Sequence, residues 1–282
     1  MNTLKVWLLM GGLSILLVLM GNAIGGSSGA FIFFLIAMAM NFFSYFYSHK
    51  IAIKMTRSYP VSEAEAPELY EIVKRLSQRA GLPMPKLYVT PSDQPNAFAT
   101  GRNPSNSAVA VTEGIMRLLS RSEVEGVLSH ELAHIKNRDV LVGTIAATLA
   151  GAIAMIGNML QWGAIFGLGR GDDEEGGSGI FGVLIMAIVF PIAAMIIQLA
   201  ISRSREYGAD ATGAQIAGSS GGLANALLKM ESAAHRIPMQ VSPAASHLFI
   251  VNPLSGATMA KLFSTHPPIQ ERVERLNAMR IS

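Results

Sequence analysis

His130 and His134 stand four residues apart, and Glu131 follows the first of them directly. On an α-helix, residues four apart lie about 40° from one another around the axis, so both imidazoles can reach one ion. Glu131 is turned away by about 100° and sits beside such an ion rather than on it, where its carboxylate can hold a water. That division of labour suits hydrolysis. Zinc lowers the pKa of a bound water to about 7 and polarises a carbonyl. A neighbouring carboxylate then takes the proton and returns it to a leaving amine. The chain has no cysteine. Metal ligands must therefore be His, Asp or Glu, a donor set of catalytic rather than structural zinc.

Two histidines are not enough, because catalytic zinc normally has three protein ligands. Glu206, in Glu206-Tyr207-Gly208-Ala209-Asp210, is the best candidate for the third. Glu206 and Asp210 share a helix face. The first can bind metal while the second accepts a hydrogen bond from a ligating imidazole. The plainer reading of this segment is a solvated face with Arg203 and Arg205 as ion partners. His235, His247 and His266 compete as ligands.

Several elements must position these groups. Ser122-Glu123-Val124-Glu125 has the spacing of a capping box, with Ser122 as cap and Glu125 reaching back. Val124, Val127, Leu128 and Leu132 follow at helical intervals, which places His130 to His134 inside a helix. Pro67 to Ala80 reads as an amphipathic helix ended by Gly81. Lys86 to Thr90 and Ala108 to Thr112 read as strands, with a further extended segment near Asn96 to Thr100.

Half of the 282 residues are hydrophobic and only 15% are charged, against about 25% charged in soluble domains. Mean hydropathy is +0.38. These values indicate a membrane protein. Four apolar runs, Leu4 to Ala23, Ala30 to Tyr47, Val140 to Gly169 and Ile180 to Ile201, are each near or above the length that spans a bilayer. A second apolar run begins at once after the first, so a helical hairpin fits better than a cleaved signal peptide. The third run carries Asn158 and Gln161 and can instead be a buried or re-entrant hairpin. Pro191 is expected to kink the fourth.

Lys50, Lys54, Arg57, Lys136, Arg138, Arg203 and Arg205 flank one side of these runs. The other side has Arg170 beside Asp172, Asp173, Glu174 and Glu175. Both termini and the polar sequence are therefore expected in the cytoplasm. The expected organisation is a transmembrane hairpin at 1–47, a first half-domain at 48–138, an inserted membrane hairpin at 139–201 and a second half-domain at 202–282. The net charge of +3 argues against nucleic-acid binding. Without cysteines there is no disulfide framework.

The order His130-Glu131-x-x-His134, two apolar spans, Glu206-x-x-x-Asp210 and then His266-Pro267-Pro268-Ile269-Gln270-Glu271-Arg272 resembles the HtpX-type membrane proteases. These are gluzincins related to the type I CAAX prenyl proteases. The resemblance covers nearly the whole chain. It implies a mainly α fold with a small β-sheet, a gluzincin-type domain combined with about four transmembrane helices. It implies one zinc ion per chain held by His130, His134 and Glu206, with Asp210 orienting a ligating histidine. His266 and Arg272 match positions that stabilise the oxyanion or support the site. A histidine opening a Pro-Pro turn, and an arginine pairing with a carboxylate on its own helix, are the plainer readings of these two.

Asn96, Ala97, Phe98 and Ala99 resemble the edge strand on which such proteases dock substrate, although an ordinary surface strand reads equally well. The implied activity is endopeptidase cleavage of misfolded or damaged membrane proteins at the cytoplasmic face of the bacterial inner membrane, in stress response and quality control. A narrower CAAX-type protease and a catalytically silent zinc-binding scaffold are the alternatives. A transporter is disfavoured, because the four runs carry essentially no ionisable residues.

Overall fold

The computed structural model describes residues 2–146, 148–150, 203–239, 241, 243–246, 248–253 and 266–280. Most of the third apolar run, the whole fourth run, the acidic loop, Asn158, Gln161, Pro191 and His247 lie outside these residues. Among the described residues the chain is mainly helical, with one small mixed sheet.

Helix α1 (Asn2–Met55) is helical for 54 residues but is not a straight rod. Gly26 has φ +58°, a left-handed conformation that suits glycine. Asn41 Nδ2 donates to Ser14 Oγ at 2.8 Å across 27 residues of chain. A straight helix would hold those residues about 40 Å apart. The chain therefore reverses near Gly26, and its two limbs pack antiparallel. A Cβ on Gly21 would meet Gly29 O at 2.5 Å, so small residues allow the close approach. Gly26–Met55 is long and apolar enough to cross a bilayer, and Val6–Leu19 and Val140–Ala150 are shorter apolar helical stretches. Leu8, Ile15 and Phe31 are each more than 60% exposed. An apolar surface of that kind is unfavourable in water and suits lipid.

The sheet runs β1 (Tyr59–Pro60), β2 (Lys86–Thr90), β4 (Asn106–Thr112) and β3 (Ala97–Asn103) in spatial order. β2 and β4 are parallel, with Leu87 opposite Val109, and β3 returns antiparallel on β4, with Ala99 opposite Val109. β3 thus forms one edge. Gly101, φ +146°, lets the β3–β4 hairpin close, since a Cβ there would meet Asn106 O at 2.4 Å.

α2 (Pro67–Ala80) buries Leu69, Ile72, Val73 and Leu76 and ends at Gly81 with φ +68°. After the short α3 (Glu113–Leu118), α4 (Arg121–Lys136) is the central helix. Val127, Leu128, Leu132 and Ala133 on it are fully buried. It packs on β3, α2, α5 (Arg203–Ala217) and α6 (Gly221–Ala234), and α7 (Ile269–Asn277) closes over α5 and α6.

The helix start differs from the sequence expectation. Ser120, not Ser122, precedes α4, and its N–H donates to Glu123 Oε2 at 2.8 Å. The S-x-x-E spacing occurs twice in overlapping registers, and the earlier one is used. Lys229 on α6 reaches Glu123 Oε2 at 2.8 Å, whereas Glu125 is taken by Arg75 and Arg121. Tertiary partners decided between two locally equivalent caps.

Candidate active site

α4 and α5 approach unusually closely. A Cβ on Gly213 would lie 2.9 Å from both the Cα and the N of His130. This contact sets the α5 backbone against the helix that carries both histidines and brings Glu206 across from them. His130 Nε2 lies 3.1 Å from His134 Nε2. Glu206 Oε2 is 3.7 Å from His130 Nε2, and Glu206 Oε1 is 3.5 Å from His134 Nε2. Metal–nitrogen bonds of about 2.0–2.1 Å in a tetrahedron put ligand atoms about 3.3–3.4 Å apart. The three side chains therefore converge at the spacing that one small cation requires, and they form the sole such group found among the described residues.

The second ring nitrogens fix the tautomers. His130 Nδ1 faces Asp210 Oδ1 at 2.9 Å. An Nδ1–H donated there leaves Nε2 with its lone pair turned inward. Asp210 is in turn held by Arg272, Nε to Oδ2 at 2.9 Å and Nη2 to Oδ1 at 2.7 Å. His134 Nδ1 faces Asp139 Oδ2 at 3.3 Å.

Charges in this buried cluster are strongly displaced. Burial pushes His130 down to about 4, against the pull of Asp210. Burial also opposes charge on His134, but Glu206, Asp139 and Glu131 outweigh it and push that imidazole up to about 9. Burial raises Glu206 as well, yet His266 and His134 hold its carboxyl well below the usual range. Glu131 is pushed up to about 7, chiefly by burial. Asp210 is pulled down to about 2, with burial opposing and His130 and Arg272 prevailing.

Glu131 lines a cleft of about 70 Å³ with Ala99, His134, Glu206, Ile250 and His266. The backbone N–H of Ala99 donates to its carboxylate. Of the four residues expected as a docking edge, all are buried, and only Ala99 reaches the cleft. Asn96 and Ala97 are already engaged. Asn96 Nδ2 donates to Val251 O at 2.7 Å, and Ile250 N donates to Ala97 O at 3.1 Å. Phe98 packs edge-on against Phe249.

His266 stands at the cleft wall with Nδ1 3.0 Å from Glu206 Oε2. Arg272 is fully buried and does not line the cleft. Of its two expected roles the geometry suits support of the site, and its carboxylate partner is on α5 rather than its own helix. Exposed His235 sits at the end of α6 and does not line the cleft. Sequence reasoning missed Asp139, five residues past His134. A lone acid immediately before a long apolar run was the available signal.

The family model of peptidase family M48 matches residues 63–280. A "Protease HtpX homolog" from Pelotomaculum thermopropionicum is 72% identical over 281 residues and covers 100% of both chains. A protein of the same name from Thermodesulfovibrio yellowstonii is 60% identical, covering 99% of each. The crystal structure of S. mikatae Ste24p superposes with a TM-score of 0.49 at 19% identity, over 98% of this chain and 65% of that one. The family match spans β2 to β4, both histidines, Glu206 and Arg272, and the relatives match from end to end: the chain belongs to peptidase family M48, as an HtpX-type metalloprotease.

Proposed function

We propose that the chain is an integral-membrane zinc endopeptidase that cleaves misfolded or damaged membrane proteins at the cytoplasmic face of a bacterial plasma membrane. The observation that carries this reading is the convergence of His130, His134 and Glu206 beside a buried Glu131 in a cleft bounded by a strand edge. The donor set of two imidazoles and one carboxylate, with both imidazoles backed by carboxylates, suits zinc. The proposed organisation is a membrane hairpin at 1–47, a protease domain in two halves at 48–138 and 202–282, and a second membrane hairpin at 139–201 between them. The apolar exposed limbs of α1 support the membrane setting.

Zinc, when bound, would supply Lewis-acid polarisation of the scissile carbonyl and acidify a water. Glu131 acts as general base. A buried carboxylate beside the metal-binding group is placed to take a proton from water and to give it to the leaving amine. Ala99 N–H holds one side of that carboxylate in place. Substrate docks on the edge of β3 beyond Ala97, since Ile250 already occupies Ala97 O. Backbone groups of an antiparallel strand alternate in direction, so Ala99 C=O is the next outward acceptor for an extended substrate. Backbone pairing of this kind demands little of substrate side chains. Such tolerance suits a protease whose clients share exposure rather than sequence. His266 aims a donor at the oxyanion from the same cleft.

Glu131→Gln provides the test. Purified in detergent, the variant should bind one zinc per chain, as wild type does, and cleave an unfolded protein such as casein at least about 100-fold more slowly. Cleavage at the wild-type rate would remove Glu131 from the mechanism.

A further inference from the structure

We propose that Asp139 is a second positioning carboxylate, which holds the His134 ring through Nδ1 as Asp210 holds His130. The inference rests on the metal-centre reading above. Each imidazole presents Nε2 to the shared point, and each turns Nδ1 to a carboxylate: 2.9 Å to Asp210 for His130, 3.3 Å to Asp139 for His134. Without Asp139, the His134 ring would have neither a fixed tautomer nor a fixed rotation. A ligating histidine gains basicity and orientation from such a partner.

Asp139 is well anchored for this task. Its N–H donates to His134 O at 3.0 Å, and its own C=O accepts from Gly143 N at 3.5 Å. It therefore stands immediately before the helical stretch Val140–Ala150, in the place of an N-cap. Its side chain is 10% exposed, which shelters the contact from water. A counter-charge is present too. Arg205 on α5 lines the same cleft as Asp139. Burial pulls the Arg205 pKa down and the Asp139 charge opposes that pull. The two histidines thus each have a carboxylate and a neighbouring arginine, with Arg272 serving Asp210 on the other side. Asp139 also links the ligand to the first residues of the apolar run that follows α4.

The experiment separates the carboxylate from the cap. Serine caps a helix about as well as aspartate but is too short to reach Nδ1. Zinc affinity is measured for the full chain in detergent by competition with a chromophoric chelator at fixed pH, and the metal-free protein is melted in parallel. Asp139→Ser should bind zinc about 10–100-fold more weakly than wild type, a loss that exceeds any fall in the stability of the metal-free protein. Asp139→Asn keeps an acceptor oxygen and should recover part of the loss. Wild-type zinc affinity in Asp139→Ser overturns the proposal. So does an affinity loss matched by an equal fall in metal-free stability, which would mark Asp139 as a cap alone. If wild type itself takes up no more zinc than His130→Ala, the metal-centre reading fails with it.

Discussion

Arg272 grips both carboxylate oxygens of Asp210 at a place that solvent does not reach. Removing one partner of a buried pair strands the other as an uncompensated charge. Arg272→Ala should therefore cost about 3–5 kcal/mol, read as a large fall in melting temperature in detergent. Arg272→Lys keeps the charge but lacks the planar fork and should recover less than half of that loss. Zinc content should fall in both variants, because Asp210 then turns His130 less firmly. An Arg272→Lys protein with wild-type stability and zinc content would refute the bidentate role.

Gly213 makes a second, purely steric prediction. Its Cβ would meet backbone atoms of His130 rather than a flexible side chain. Gly213→Ala should destabilise by about 1–3 kcal/mol through overpacking and weaken zinc binding by moving α5. A Cβ on Gly208, on the same helix, would have nothing within 4 Å. There the gain in helix propensity should dominate, about 0.5–1 kcal/mol in favour of Ala. The two variants differ only in position, so equal melting temperatures would contradict the close α4–α5 contact.

Glu123 gives a pH dependence away from the metal. Burial raises its pKa, but Lys229 and Ser120 pull it below the ordinary value. A carboxyl depressed in the folded state adds stability above its unfolded pKa, about 4.5, and loses it as pH falls through the folded value. Glu123→Gln should thus cost about 1–2 kcal/mol at pH 7. The difference from wild type should vanish in melts carried out below the folded-state pKa of Glu123. A gap independent of pH would assign the effect to packing instead of charge.

The antiparallel limbs of α1 can be tested directly, because the chain has no cysteine to interfere. Ser14 and Asn41 touch at 2.8 Å. Ser14→Cys/Asn41→Cys should form an intramolecular crosslink under mild oxidation, and Ser14→Cys paired with Phe31→Cys should not. Failure of the first pair in intact membranes would mean that the limbs do not lie side by side.

The chemistry-bearing residues were legible because helical spacing alone puts His130 and His134 on one face, and Glu206 and Asp210 on another. What joins the two faces was not legible. Gly213 is one of 27 glycines, and nothing local distinguishes the one that touches the backbone of His130. The capping register of α4 was missed because Ser120 and Ser122 offer the same spacing, and only Lys229 on a distant helix favours Glu123. The sheet order places β3 at an edge. The engagement of Asn96 and Ala97 depends on a segment about 150 residues further on, a contact without sequence periodicity. Arg272 was recognised by position, but its partner follows from the packing of α7 on α5.

The side chains that could hold the metal are far apart along the chain. Glu206 comes about 70 residues after His134, yet their ligand atoms are 3.5 Å apart. What unites them is a helix–helix seam, α4 against α5, and that seam is made of side-chain and backbone contact rather than peptide continuity. The centre is therefore divisible in principle. Two polypeptides expressed together, one ending and the other beginning within 151–202, would each hold part of a metal site, and neither could work alone. Chain connectivity serves here to raise the local concentration of one half about the other, while the seam supplies the fit.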